Sequence, residues 1–340
     1  MPRPERPPHP GDEPDFEREN REARLAALAA VDRDPSRDPA WPWPEVTNAV
    51  GPLTPGILIT LGGYSGNGKT GVLLNLASHL LGARIPWVYF GLELADYLLV
   101  QLLAALRLNL PRHRVIEGTL TTAERDAVRA EISGYATHTE LMHFVPDPDL
   151  SANDAVTRIR TLLAHQRPRV VIIDHLHQLN YDEQDNRRLA VSAAIRALKA
   201  IAIETGVTVI VAAQLRKGTD PLYLWRTPST ADLLETASIE HVSDVVLFTH
   251  RQIAPSCTEQ ARAFAKGDPA VTPQHFAQPR RLALSLAKHR FGRPIGTTVP
   301  LTLHTPTDRL TSADPAWASA STMDALTAPF RPGDAYEPDP

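Results

Sequence analysis

The chain has 340 residues, 43% hydrophobic and 22% charged, enough for one large globular domain or two small ones. Its apolar stretches break within about a dozen residues, short of the roughly 20 a spanning helix needs, and residues 1–20 hold no secretory apolar run, so a cytoplasmic protein without a membrane segment is expected. A formal net charge of −4 argues against a generally basic nucleic-acid coat, and with Cys257 as the only cysteine there is neither an internal disulfide nor a cysteine-based zinc site.

Residues 1–14 read as a Pro/Arg/acidic tail, and DFERENREARLAALAAV (15–31) as a helix with alanine and leucine gathered toward its C-terminal half. DRDPSRDPAWPWP (32–44) interrupts it with prolines, as a linker does; Trp41 and Trp43 within it are expected to pack on the domain. From Gly51 the text changes. Short β-branched runs appear at 57–62, 87–91, 169–174, 207–214 and 244–250, alternating with helical patterns at 69–82, 95–107, 122–134, 153–166 and 187–205. Strands apolar on both faces between helices predict an α/β fold with a mostly parallel sheet covered on both sides. Residues 252–280 lack a clear period and read as a surface excursion. About half of the 31 prolines lie before residue 46 or after residue 304, which sets the folded domain at 46–304 between an arm (1–45) and a disordered tail (305–340) with a short helix candidate near 321–327.

Lysine is scarce, 5 against 30 arginines, so each retained lysine invites a reason for its compact ammonium. Lys69 has one. It lies in GYSGNGKT (63–70), which satisfies G-x-x-x-x-G-K-[ST] between a predicted strand and a predicted helix. Gly63, Ser65, Gly66, Asn67 and Gly68 supply a loop whose N–H groups face a triphosphate, and the helix opening at Lys69, Thr70 and Gly71 directs its positive end there. Lys69 is expected to reach the β/γ oxygens of ATP, and Thr70 to take a Mg²⁺ position. The C-terminal ends of three other strands deliver Glu93, Asp174 and Gln214. That is one carboxylate to orient water, one to support Mg²⁺, and one neutral group to sense the γ-phosphate. His175-x-His177 beside Asp174 reads as solvated or hydrogen-bonded histidines without further metal ligands.

With GLELADYLLVQLLA (91–104), VVIIDHLHQL (170–179), residues 186–218, 231–251 and LSLAKHRFGRPIG (284–296) following the P-loop in order, the segment from about Trp43 to Leu303 resembles the C-terminal RecA-like motor domain of DnaB-family replicative helicases. The resemblance implies a RecA-like P-loop NTPase. Glu93 would polarise the attacking water, Asp174 would be the Walker B acid and Gln214 the γ-phosphate sensor. Lys288 and Arg290 would project into the neighbouring subunit's site, Arg290 as arginine finger, and Arg251 would meet the adenine side. A K-x-R on a strand puts both cations on one face, in keeping with this. The family's ring implies a homo-oligomer, hexameric by analogy, threading single-stranded DNA, with the helix at 15–31 as a candidate subunit-docking element.

The chain departs from the family in three places. About 45 residues stand in place of the large N-terminal domain. Leu234, Glu235, Thr236 and Ala237 replace an R-E-S-G-like segment that holds DNA phosphates, leaving Arg216, Lys217 and Arg226, with Tyr223 and Trp225, as candidate substitutes. The excursion at 252–280 is longer than a simple hairpin. These departures keep a second expectation open: an ATPase ring that does not unwind DNA and serves a partner protein in a multi-protein system.

Overall fold

In the computed structural model the apolar runs line up in one sheet, nine-stranded among the described residues. The structure describes residues 15–31, 33–147, 150–179, 187–218, 221–234, 237–253 and 257–313. The chain falls into two units, Met1–Asp38 and Pro39–Pro340. In the first, α1 (Asp15–Val31) forms where the sequence places a helix, and Arg33 pairs with Asp38 at 3.1 Å. Leu25, Leu28 and Val31 are exposed along α1.

The second unit opens on α2 (Pro44–Val50), with proline in the first turn, where the missing N–H removes no helical bond. Then come β1 (Leu58–Gly63), α3 (Lys69–Gly82), β2 (Trp87–Gly91), α4 (Asp96–Arg107), α5 (Arg112–Ile116) and α6 (Thr122–Tyr135). Next are β3 (Met142–Pro146), α7 (Ala152–Gln166), β4 (Val170–Asp174), α8 (Arg187–Thr205) and β5 (Thr208–Gln214). The chain continues through α9 (Ala237–Val242), β6 (Val245–Ile253), α10 (Thr258–Ala265) and α11 (Pro273–Phe276). It finishes in β7 (Ala277–His289), β8 (Thr298–His304) and β9 (Arg309–Ser312).

Strand order is β3-β2-β4-β5-β1-β6-β7-β8-β9. The pairs from β3 to β6 are parallel, and the three from β6 to β9 antiparallel. Period-two alternation splits each central strand between two cores. Ile59, Ile172 and Ile210 enter the cluster shared with α3 and α4, whereas Leu58, Ile173 and Val211 enter the one shared with α7 and α8.

The folded unit is wider than its composition suggests at both ends. Trp41 and Trp43 are buried, as expected, but they belong to the fold rather than to an arm that ends at 45. The Trp43 indole donates to the Leu310 carbonyl at 2.9 Å, so the segment before α2 is fastened to β9. That strand pairs with β8 beyond residue 304, where the sequence reads as tail. Arg309–Ser312 is short and buries only Leu310, too little pattern to mark a strand. The helix candidate near 321–327 lies outside the described residues. The excursion at 252–280 contains α10 and α11, and β7 starts at Ala277. Ala261 is the residue of α10 that is buried, so no apolar stripe betrays the helix.

Candidate nucleotide site

The register of the parallel strands assembles the predicted residues. Gly63 closes β1 opposite Gln214 of β5, and Gly91 of β2 pairs with Asp174 of β4, with Glu93 just beyond. Four strands thus deliver the P-loop, Glu93, Asp174 and Gln214 to one edge of the sheet, the C-terminal edge where open α/β sheets bind ligands.

The P-loop needs its glycines for two separate reasons. A Cβ at Gly63 would lie 2.7 Å from the Thr249 methyl, so β1 and β6 pack closely only without one. Gly68 has φ +84° at the start of α3, a left-handed conformation that L side chains rarely adopt. Ser65 and Gly66 form the exposed tip, Thr70 and Gly71 start α3 half-buried, and Asn67 is buried. The Asn67 side chain donates to the Leu224 carbonyl at 3.1 Å, while its own carbonyl accepts from Thr249 Oγ1 at 2.7 Å. Arg251 donates to the Gly66 carbonyl at 3.1 Å, which sets it against the loop tip.

Lys69 Nζ donates to the Gly63 and Tyr64 carbonyls at 2.8 and 3.2 Å. Burial lowers its pKa, partly opposed by the charges of Asp174 and Glu93. Burial raises Asp174, opposed by hydrogen bonds from Thr70 and Tyr89. The Tyr89 hydroxyl donates to Asp174 Oδ2 at 2.8 Å, and Asp174 Oδ1 is buried without a hydrogen bond. A buried carboxylate oxygen left without a partner, on a residue that also interacts with the P-loop Thr70, fits Mg²⁺. Both pKa directions are those that a bound cation at Asp174 and phosphate oxygens at Lys69 would reverse. No group of three or more His, Cys, Asp or Glu able to hold a metal occurs among the described residues. Mg²⁺ at phosphates needs none, since it is held by one or two protein oxygens plus phosphates and water.

The sequence missed much of what surrounds these groups. Tyr89 lies within an apolar strand, and a buried tyrosine hydroxyl that needs a partner was the available signal. His175 and His177 are both buried and hydrogen-bonded. His175 Nε2 lies 2.6 Å from Glu93 Oε1, and Gln178 Nε2 donates to the same oxygen at 3.3 Å. His177 Nδ1 accepts from the Gln214 backbone N–H at 3.3 Å, and its Nε2 faces the Leu234 carbonyl at 3.4 Å.

Lys288 and Arg290 are not at this edge. Lys288 donates to the Glu240 and His241 carbonyls at the end of α9, and Arg290 to the His241 carbonyl at 3.0 Å. Arg290 also meets Asp244 at 3.1 Å with its side chain 46% exposed. Asp244 accepts from the Leu58 N–H at the start of β1. Both cations reach the His241 carbonyl, although Arg290 lies one residue past the end of β7 rather than on the strand, and they do so at the opposite end of β1 from the P-loop. Six residues of strand separate the ends, about 17 Å.

Of the proposed substitutes for DNA contacts, three are engaged within the fold. Tyr223 packs edge-on against Tyr64 with centroids 4.9 Å apart, Arg226 pairs with Asp232 at 2.5 Å, and Trp225 packs with Ile253 and Ala261. Cys257 joins that same small cluster. Arg216 and Lys217 are exposed. Leu234 donates its N–H to the Gln214 carbonyl at 3.1 Å, and Ala237 opens α9, while Glu235 and Thr236 lie outside the described residues.

The model of the DnaB-like helicase C-terminal domain matches residues 43–311. The chain belongs to this family. Similar curated proteins include the replicative DNA helicase DnaB of Treponema pallidum, 25% identical over 217 residues that cover 63% of this chain and 48% of that protein. A probable replicative DNA helicase of Trieres chinensis is 31% identical over 200 residues, covering 57% of this chain and 43% of that one. The chain therefore spans about half the length of the curated relatives it matches. Among solved structures, a DnaB-like replicative helicase, solved in a study of its interactions with primase, aligns with TM-score 0.65 at 19% identity, covering 86% of this chain and 68% of that one. A second solved structure, of an ATPase domain by itself, aligns with TM-score 0.64 at 19% identity, covering 86% of this chain and 98% of that one. The fold is thus the RecA-like one of DnaB-like ATPase domains. No helix among the described residues is long and apolar enough to cross a membrane.

Proposed function

We propose that this DnaB-like domain is a Mg²⁺-dependent ATP hydrolase of the cytoplasm, working as a ring, hexameric by analogy, that moves along single-stranded DNA. The observation that carries the reading is the sheet edge where the P-loop, Glu93, Asp174 and Gln214 converge. Lys69 and the P-loop N–H groups hold the phosphates, and Arg251 at the loop tip borders the nucleoside. Glu93, at the rim and partly exposed, orients the attacking water, while Gln214 beside Gly63 senses the γ-phosphate. Asp174 and Thr70 are the residues that would hold Mg²⁺, which when bound neutralises charge on the transferring phosphoryl group. Phosphoryl transfer relies on positioning and electrostatics, so the missing element is a cation opposite the γ-phosphate. Lys288 and Arg290 cannot supply it to their own site across the length of β1. Their placement supports a site completed by the next chain in a ring.

A second reading, an ATPase ring that unwinds nothing and serves a partner protein, is favoured by one specific observation. Tyr223, Trp225 and Arg226 are occupied within the fold, and Leu234 and Ala237 stand where the family holds DNA phosphates. ATP hydrolysis with and without single-stranded DNA, at low and moderate salt, separates the two. Stimulation that fades steeply as salt rises is expected of the DNA motor. A rate indifferent to DNA at both salts would rule the motor out and leave the partner-driven ring.

A further inference from the structure

The histidine directly after the Walker B position makes a contact that its local sequence does not explain. Glu93 sits on the loop after β2 with its side chain 42% exposed, whereas the His175 side chain is 6% exposed. A glutamate on a partly open loop samples several rotamers, and fixing one costs conformational entropy. The His175 ring is a rigid donor already held in place: it is buried beside Asp174 and in edge contact with His177, centroids 6.0 Å apart. His177 is itself tied to the Gln214 N–H and turned toward the Leu234 carbonyl. A carboxylate only accepts hydrogen bonds, so the 2.6 Å contact has the His175 Nε2–H donating to Glu93 Oε1. That leaves Oε2 as the oxygen to face water. Gln178 reaches Oε1 at the longer 3.3 Å.

We infer that His175 is a positioning residue that locks Glu93 in the orientation required to activate water, through its Nε2–H bond to Oε1. The inference rests on the reading of Glu93 as the water-orienting carboxylate. Such a residue acts on turnover rather than on nucleotide binding, because the phosphates are held by the P-loop and not by Glu93. Loss of orientation at a reacting group costs on the order of 10–100-fold in rate. Glutamine carries an amide N–H at the same reach along its side chain as Nε2 of histidine, so it can restore the bond without the ring.

The test uses the full chain and compares His175→Ala, His175→Gln, Glu93→Gln and the double variant His175→Ala/Glu93→Gln. It reads kcat and KM for ATP, together with binding of a fluorescent ATP analogue as a check on folding. The expected result is kcat of His175→Ala lowered about 10–100-fold with KM and analogue binding unchanged, and recovery to within a few-fold in His175→Gln. In the Glu93→Gln background the alanine should add nothing further, since it acts through a carboxylate already removed. Wild-type kcat in His175→Ala, a change confined to KM, a glutamine variant as slow as alanine, or a further loss in the double variant would each overturn the role of His175 while Glu93→Gln stays inactive. Normal hydrolysis by Glu93→Gln would instead overturn the reading of Glu93 itself, and the inference with it.

Discussion

At the scale of single residues, burial in this fold changes chemistry in ways that solution measurements can read. His250 is buried in β6, where its Nε2 lies 2.8 Å from Ser285 Oγ, which in turn meets Thr298 Oγ1 at 2.8 Å. Burial lowers its pKa from the ordinary 6.5 to about 4, so the folded state keeps the ring neutral where the unfolded chain protonates it. The unfolded state therefore binds more protons between those two values, and stability falls as pH drops through that window, by about 3 kcal/mol for this group. Urea midpoints should fall from pH 6.5 to 4 more steeply for the native chain than for His250→Gln; parallel curves would contradict the assignment. Which residues reach the P-loop edge of the sheet was legible where local sequence encodes it: Lys69 and Thr70 from the P-loop spacing, and Glu93, Asp174 and Gln214 from their places after apolar runs. The bonds from Tyr89 to Asp174 and from His175 to Glu93 join segments about 80 residues apart in sequence, and no local pattern marks such pairs.

Among the elements, the central strands and the helices between them were readable because burial on two faces imposes a strong pattern. The helical patterns at 69–82 and 187–205 appear as α3 and α8 with the same bounds. β3 and β9 escaped because edge strands bury less: β3 carries the polar His143 amid four other residues, and β9 buries only Leu310. Yet β9 closes the domain. Ser312 donates to Glu45 at 2.6 Å, and Asn75 of α3 both donates to the Asp308 carbonyl and accepts from the Leu310 N–H. Trp43 is the centre of this clasp, fully packed and bonded to Leu310. Trp43→Ala should lower stability by about 3–5 kcal/mol, read as a drop in urea midpoint, with Trp43→Phe losing less. An unchanged midpoint would show that the segment before α2 is not part of the fold.

For the whole molecule, what matters is the separation of two groups of residues. The P-loop edge gathers Lys69, Glu93, Asp174 and Gln214, and the far end of β1 holds Lys288 and Arg290. Burial and the neighbouring Arg290 charge lower the Lys288 pKa. Membership in the DnaB-like family was legible from motif order along the chain. The fate of the R-E-S-G-like position was not, because whether Tyr223, Trp225 and Arg226 face a strand of DNA or their own domain is decided by tertiary packing. A site divided between chains needs both groups intact. Glu93→Gln and Arg290→Ala should each lose about 10³-fold or more in ATP hydrolysis while retaining nucleotide binding.

The decisive measurement mixes these two inactive variants in equal amounts under conditions that allow subunits to exchange, and follows ATP hydrolysis. Shared sites predict that activity returns in the mixture, because some interfaces then pair an intact Glu93 from one chain with an intact Arg290 from the next. A mixture as inactive as its components, or an Arg290→Ala variant that hydrolyses ATP at the native rate, would contradict the shared site.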